Sequence, residues 1–275
     1  MKKFIVMAAA LICAIPALAS EAAFDRTLAV KGQATLIIST GAGHIYLSRG
    51  TEGEVRIHGR VKTGWGGSEA RVQEIASHPP IEQTGDVLRV GNHTGNLHNI
   101  SIDYDVQLPA NTILKADTGS GDIHVDGVGQ DASLETGSGE IKAVGLSGML
   151  KAETGSGSID AAINGTGLVK AETGSGSITL RGVMGSLSAE TGSGNIHVAG
   201  TPGQSWKLET GSGSIELEVG QAGFDLDAET GSGGVHVEQS STPNGTQERH
   251  HIRSKVNGGG PLVKAESGSG SIRVH

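Results

Sequence analysis

Acidic residues recur in this sequence at a nearly constant spacing, each followed by Thr or Ser and then Gly-Ser-Gly. These acids are Asp117, Glu135, Glu153, Glu172, Glu190, Glu209, Glu229 and Glu266, with steps of 18, 18, 19, 18, 19, 20 and 37 residues. Paired carboxylates could cleave glycosides, and a column of carboxylates could hold a cation. A catalytic pair needs an environment that differs from its neighbours, whereas a regular column offers equivalent ones. The spacing therefore favours a repetitive polar surface over an active site.

Lysines precede most of these acids by two positions, which places both on one face of an extended strand. Carboxylates about 4.8 Å apart on neighbouring strands repel by about 1 kcal/mol even in water, and the lysines would offset this repulsion. Two interpretations are open: a solvated charged face, which we favour, and a cation site where Ser133, Ser188 and Asp227 interrupt the lysines. The candidate surface ladder comprises Glu135, Glu153, Glu172, Glu190, Glu209, Glu229, Lys151, Lys170 and Lys207.

Other arrangements that could do chemistry are weaker. A calcium site repeated in every coil would need an acidic residue directly after each Gly-Ser-Gly motif. Only Asp122 and Glu140 are acidic at that position, so the repeats do not form such a series of sites. The serine of the motif has no histidine and acid at a fixed relation to it. We predict no catalytic residue and no cofactor.

Histidines also fail to form a convincing metal site in the sequence. His124, His197 and His236 share one outward column but belong to non-adjacent repeats, too far apart for one zinc ion. His250 and His251 lie near Glu248, although a polar loop explains them equally well. We therefore predict no metal site.

The repeat itself predicts the elements that position these residues. Leu150, Ala152 and Thr154 alternate with Lys151 and Glu153, and the alternation continues past the glycines in each copy. Each repeat is thus two short strands with one polar and one apolar face, joined by a Gly-Ser-Gly corner. Stacking such units buries the apolar faces, which predicts an all-β parallel β-solenoid with coils of about 18–20 residues.

The pattern divides the chain into three parts. Residues 1–19 have the charged start, apolar run and small-residue cleavage site of a signal peptide. Residues 20–110 predict a β-rich N-terminal cap, either separate or made of degenerate coils, with a helix in "SEARVQEIASHPP". Residues 111–275 predict the regular solenoid, in which one coil between Glu229 and Glu266 has lost its motif and gained an inserted loop at 239–261.

Composition and charge limit the compartment and the partners. Cys13, the only cysteine, lies within the signal peptide, so the mature chain forms no disulfide. The net charge of −8 becomes −10 when Lys2 and Lys3 are removed, which disfavours nucleic acid and anionic membranes as partners. Beyond the signal peptide there is no apolar run long enough to span a membrane. We expect an exported protein of the periplasm or the cell surface.

The repeat sequences resemble a known family. The stretch "VQLPANTILKADTGSGDIHVDGVG", the tandem L-x-A-E-T-G-S-G-x-I units and the segment "VKAESGSGSIRV" are similar to bacterial β-strand-repeat adhesin-like proteins, which share a domain of unknown function with tandem GSG repeats. The resemblance covers about residues 30 to 275. It implies an extracytoplasmic β-solenoid with a role in surface adhesion, and it supplies no catalytic residues.

These observations predict a non-enzymatic module for binding, adhesion or structure in the cell envelope. Its expected partners are an envelope polysaccharide or an envelope protein, and end-to-end self-association is open. The alternatives are a β-helical enzyme acting on polysaccharides and a partner in envelope signalling or assembly. The enzyme is disfavoured because aromatic residues for sugar stacking are scarce and Trp206 falls on the inward face.

Overall fold

The computed structural model describes residues 21–64, 68–91 and 99–275, and the predicted signal peptide lies outside them. The N-terminal part contains β1 (Glu21–Ala29), β2 (Thr35–Thr40), β3 (Ile45–Arg49), β4 (Glu54–Thr63), α1 (Glu69–Ser77), β5 (Ile81–Thr84), β6 (Val87–Gly91) and β7 (Ile100–Leu108). The predicted helix is confirmed: α1 buries Val72 and Ile75 and packs on β1 and β4. No helix among the described residues is both long and apolar enough to cross a membrane.

The repeats form short strands of similar length. The central strands are β8 (Ile113–Thr118), β9 (Ile123–Asp126), β10 (Ala132–Thr136), β11 (Ile141–Leu146), β12 (Leu150–Thr154), β13 (Ile159–Ile163), β14 (Val169–Thr173), β15 (Ile178–Val183), β16 (Leu187–Thr191), β17 (Ile196–Gly200), β18 (Trp206–Thr210) and β19 (Ile215–Glu218). The C-terminal strands are β20 (Phe224–Thr230), β21 (Val235–Val237), β22 (Ser241–Glu248), β23 (His251–Val256), β24 (Leu262–Ser267) and β25 (Ile272–Val274).

Each coil contributes one strand to each of two sheets. Sheet A has the order β1-β4-β7-β3-β9-β11-β13-β15-β17-β19-β25-β21, and sheet B has the order β22-β23-β20-β24-β18-β16-β14-β12-β10-β8-β2-β6-β5. Successive coils pair in parallel and in the register of the repeat, so that Ala152 lies beside Ala171 and Glu153 beside Glu172. The predicted parallel β-solenoid is confirmed.

The core lies between the two sheets, where the alternating apolar side chains meet. Ile159 and Ile178 stack as register partners in sheet A, while Leu150 and Val169 do so in sheet B. Trp206 is also buried, as its inward phase predicts, and its indole Nε1 donates a hydrogen bond to the carbonyl oxygen of Gly185 at 2.9 Å. Burial of these side chains, none of which could be buried within one coil, holds the stack together.

The Gly-Ser-Gly corner stacks on the corner of the preceding coil through a buried threonine. Thr173 Oγ1 donates a hydrogen bond to the carbonyl oxygen of Gly157 at 2.8 Å and accepts one from the N–H of Gly176 at 3.1 Å. Other coils repeat this pair of bonds, and Ser267 takes the same role in its coil. The second glycine of each corner is required by close approach, since a Cβ on Gly157 would overlap the carbonyl oxygen of Gly139.

The coils at both ends of the stack are out of sequence order. At the C-terminal end, β24 lies between β18 and β20, and β25 lies between β19 and β21. The spacing predicts a sequential stack with one degenerate coil between Glu229 and Glu266, and this prediction is wrong. The coil of residues 262–275 instead lies between the coil of 206–218 and the coil of 224–237. At the other end, β2 and β3 lie directly beside β8 and β9, and β6 and β7 stack outside them.

Antiparallel strands close both ends. The segment 239–261, predicted as a loop, forms a hairpin of β22 and β23 whose second strand pairs with β20. At the N-terminal end, β4 and β1 continue sheet A beyond β7, and β5 continues sheet B beyond β6. The hairpin forms because the open edge of β20 offers unpaired backbone groups that a loop would leave unsatisfied.

A buried acid ties the N-terminal cap to the first coils. Asp103 on β7 accepts a hydrogen bond from Lys62 Nζ at 2.7 Å and another from the backbone N–H of His44 at 3.0 Å. Burial opposes the charge and would raise the pKa of Asp103, but these two bonds outweigh burial and lower its pKa.

The lowered pKa makes part of the stability dependent on pH. An acid with a depressed pKa stabilises the fold above its unfolded pKa of about 3.9, and this contribution is lost as pH falls through the folded value. We expect Asp103→Asn to lower the free energy of unfolding by about 1–2 kcal/mol at pH 7, and by less at pH 3. Urea unfolding at both pH values tests this, with Asp105→Asn, an exposed neighbour on β7, as control. An equal loss at both pH values would contradict it.

Candidate functional site

The ladder residues lie on the outer face of sheet B, as their alternation with buried residues requires. Register pairs Glu135 with Glu153, Glu153 with Glu172, Glu172 with Glu190 and Glu190 with Glu209. Beyond Glu209 the order differs from the prediction: Glu266 lies between Glu209 and Glu229, because β24 is inserted between β18 and β20. The ladder thus gains Glu266, and Glu209 and Glu229 are not adjacent.

Ion pairs within and between coils neutralise part of the ladder. Lys151 Nζ lies 2.9 Å from Glu153, and Lys170 Nζ lies 2.8 Å from Glu172 and 3.4 Å from Glu153. The predicted lateral and diagonal pairs are therefore present, and Lys207–Glu209 and Lys264–Glu266 repeat the lateral one. The hydrogen bond from Lys151 lowers the pKa of Glu153, and the bond to Glu172 raises the pKa of Lys170.

Three ladder acids differ from the others. Glu135, Glu190 and Glu229 are exposed, and none of them lies within ion-pair distance of a described basic residue. The position two residues before each is Ser133, Ser188 or Asp227, so no lysine reaches them along their own strand. These acids therefore present carboxylates to solvent without a direct ion pair.

The hairpin supplies cations at the end of the ladder. His251 Nε2 lies 2.9 Å from Asp227 Oδ1, and Arg253 Nε lies 3.2 Å from Asp227 Oδ2. Burial opposes ionisation of Asp227, but these two partners outweigh it and lower its pKa. The sequence pattern missed this contact because it depends on the antiparallel pairing of β20 with β23.

A shallow groove follows the ladder beside the corners. One part of about 630 Å³ runs from Glu135 to Glu190, and an adjoining part of about 580 Å³ runs from Glu190 to Glu229. In each coil the wall consists of the ladder acid, the buried Thr or Ser, and the first corner glycine. The groove runs beside a first corner glycine that cannot carry a side chain, since a Cβ on Gly155 would overlap the carbonyl oxygen of Gly137. We call it the ladder groove.

The remaining sequence candidates do not assemble into one site. His124 lies beside Tyr46, with ring centroids 6.1 Å apart, while His197 and His236 belong to strands far from it in sheet A. His250 Nδ1 contacts the carbonyl oxygen of Gly233 at 2.7 Å, and His251 is taken by Asp227. His250 and His251 therefore contact separate partners and do not form a shared site with Glu248.

Comparison with protein families identifies the chain. The family model described as Toastrack DUF4097 matches residues 31–181 and 165–275, which is most of the sequence. The chain belongs to the Toastrack family. This membership agrees with the resemblance of its repeats to adhesin-like proteins. No curated protein matches this Toastrack chain.

Solved structures resemble the Toastrack chain at low identity. A "putative adhesin" of Bacteroides fragilis is 14% identical, with 92% of this chain and 97% of that chain covered and a TM-score of 0.46. A "putative cell adhesion protein" of Clostridium sporogenes is 14% identical over 92% and 99%, with a TM-score of 0.25. A "putative lipid binding protein" of Parabacteroides distasonis is 15% identical over 92% and 96%, with a TM-score of 0.32.

Proposed function

We propose that this protein is an exported, non-enzymatic binding module of the cell envelope that holds a linear polysaccharide in the ladder groove. The observation that carries the proposal is the repetition of one groove wall, coil after coil, from Glu135 to Glu229. A row of equivalent polar groups suits a ligand whose own units repeat, because each unit meets the same partners. The signal-peptide pattern of residues 1–19 supports export.

The charge of the groove favours a ligand with polar and cationic groups. Glu135, Glu190 and Glu229 face solvent without a described basic partner, and the one tryptophan in the described residues is buried. Binding would therefore rest on hydrogen bonds and charge rather than on aromatic stacking. Such contacts are individually weak on an exposed surface and add up along a polymer.

A binding experiment with a charge-matched control tests the proposal. Purified protein is titrated onto insoluble polysaccharide isolated from bacterial cell envelopes, with calcium in one series and chelator in another. We expect saturable binding that weakens about tenfold, or about 1.4 kcal/mol, when Glu153, Glu172 and Glu190 are all changed to glutamine. The control carries Asp126→Asn and Asp160→Asn on strands of sheet A and Glu140→Gln directly before β11, which removes the same charge away from the groove.

The outcomes separate the competing functions. Equal loss of binding in both triple variants would show that overall charge, not the groove, holds the polymer. Calcium-dependent binding would indicate that the ladder acids bind the polymer through calcium ions and are not merely solvated. Failure to bind in either series would favour a structural rod or a protein partner. Release of soluble sugar would favour the alternative of an enzyme that acts on polysaccharides.

A further inference from the structure

A cluster of histidines and glutamates lies on the outer face of sheet A, on the sheet opposite the ladder groove. His197 belongs to β17, and Glu216 and Glu218 belong to β19. Glu238 follows β21, and His275 follows β25. These strands are consecutive in sheet A in the order β17-β19-β25-β21, so the out-of-order insertion of β25 assembles the cluster.

The spacing of the side-chain atoms matches that around a small metal ion. His197 Nδ1 lies 3.3 Å from Glu216 Oε2, and His197 Nε2 lies 3.8 Å from Glu218 Oε1. One ligand atom from each of these three residues can be chosen so that all lie within 4.8 Å of one another. Bonds of 2.0–2.1 Å in a tetrahedral zinc site place ligand atoms about 3.4 Å apart. Small rotations of the half-buried His197 and of the two exposed glutamates would complete such a site.

His275 is held as metal-binding histidines usually are. Its Nδ1 lies 3.1 Å from Glu238 Oε2, so this carboxylate accepts the Nδ1–H and turns Nε2 towards the cluster. Nε2 lies 3.2 Å from Glu216 Oε1, yet it is shielded from solvent and has no hydrogen-bond partner among the described residues. An imidazole oriented by a carboxylate on one nitrogen, with the other nitrogen free, is the outer-shell arrangement typical of zinc sites.

The charges around the cluster leave an excess for a cation. Glu216, Glu218 and Glu238 bring three carboxylates together, whereas His197 and His275 bring two imidazoles, so even two protonated rings would leave one negative charge among these five side chains. Arg273 stands directly across from Glu216 in the register of β19 and β25, and His236 stands across from Arg273 on β21. Among the described residues Arg273 makes no ion pair within 4.0 Å with any of these glutamates.

We propose that His197, Glu216, Glu218 and His275 bind a divalent first-row transition metal such as Zn²⁺, with Glu238 orienting His275. Imidazole nitrogen selects such ions, whereas calcium and magnesium prefer oxygen ligands alone. The ion would join β17, β19 and β25 and so fasten the out-of-order coil to its neighbours. The metal site lies on sheet A and shares no residue with the ladder groove on sheet B.

Calorimetry on the untagged protein tests the proposal. After removal of metal by EDTA and dialysis, ZnCl₂ is titrated into the protein, and thermal unfolding is followed by circular dichroism with and without zinc. We expect one saturable zinc ion per chain and a higher Tm in its presence, because a ligand of the native state stabilises it. CaCl₂ and MgCl₂ at the same concentrations should not raise the Tm.

Matched variants identify the ligands. His197→Gln and Glu218→Gln should each weaken zinc binding about tenfold or more, since loss of even an outer-shell partner costs that much. His124→Gln, in the same outward column but on β9, should bind zinc as the native protein does. All three positions are on the surface, so the folded apo-protein should be unaffected. Absence of zinc binding, equal loss in His124→Gln, or a stronger response to calcium would overturn the proposal.

Discussion

Replacement of Gly157 by alanine is expected to lower the free energy of unfolding by more than about 3 kcal/mol. Gly157 is the second glycine of its corner, and an added Cβ would overlap the carbonyl oxygen of Gly139 in the preceding coil. That oxygen belongs to the backbone and accepts the hydrogen bond of Thr154, so it cannot move aside without breaking the stack. Chemical denaturation followed by circular dichroism would measure the loss.

Gly41 provides a matched control for this substitution. It belongs to the corner Thr40-Gly41-Ala42-Gly43 between β2 and β3, where Ala42 replaces the usual serine, and an added Cβ on Gly41 would meet no atom within 4 Å. Gly41→Ala should therefore leave the free energy of unfolding within about 1 kcal/mol of the native value. Comparable stability of the two variants would show that the corners tolerate a wider spacing than the structure has. Recovery of folded Gly41→Ala but not Gly157→Ala would support the prediction.

Replacement of Thr173 by valine is expected to cost about 2–4 kcal/mol, although the two side chains have nearly the same shape. The change removes the donor to the Gly157 carbonyl and the acceptor for the Gly176 N–H, and neither group has another partner among the described residues. Each buried polar group left without a partner costs about 1–3 kcal/mol. The free energy of unfolding from urea denaturation would report the loss.

Two further variants separate the hydrogen bonds from the rest of the side chain. Thr173→Ser keeps the hydroxyl and should retain most of the stability, as Ser267 makes the same two bonds in its own coil. Thr179→Val on β15 changes a threonine that faces outward and should be nearly neutral. If Thr173→Ser were as unstable as Thr173→Val, packing of the methyl group, not the hydroxyl, would explain the threonine column.

The local parts of this fold are predictable from the sequence because each repeat specifies them independently. The alternation around Lys151 and Glu153 determines which side chains face the core, and the paired glycines determine where the chain bends. In the same way the two-residue offset of lysine and glutamate predicts the ion pairs of the ladder. These inferences need only the geometry of one strand and its immediate neighbour.

The order of the coils is not predictable in this way. Glu266 carries the same motif as Glu229, so either coil could lie beside Glu209 without changing any local contact that a pattern can reveal. The spacing favours the sequential arrangement, and the structure has the other one. The cluster at His197 was missed for the same reason, since His275 joins it only when β25 lies beside β19.

The insertion of residues 262–275 between two earlier coils constrains the path by which the chain can fold. A stack in strict sequence order could grow one coil at a time as the chain emerges during synthesis. Here the coil of 224–237 cannot pair with its final neighbours until residues 262–275 have been made. The last strand pairings to form therefore join residues far apart in sequence, and such pairings form slowly. Deleting residues 262–275 would not remove the last coil of the stack, although these residues end the sequence shown. It would remove one rung from the interior of each sheet and leave two open strand edges facing one another.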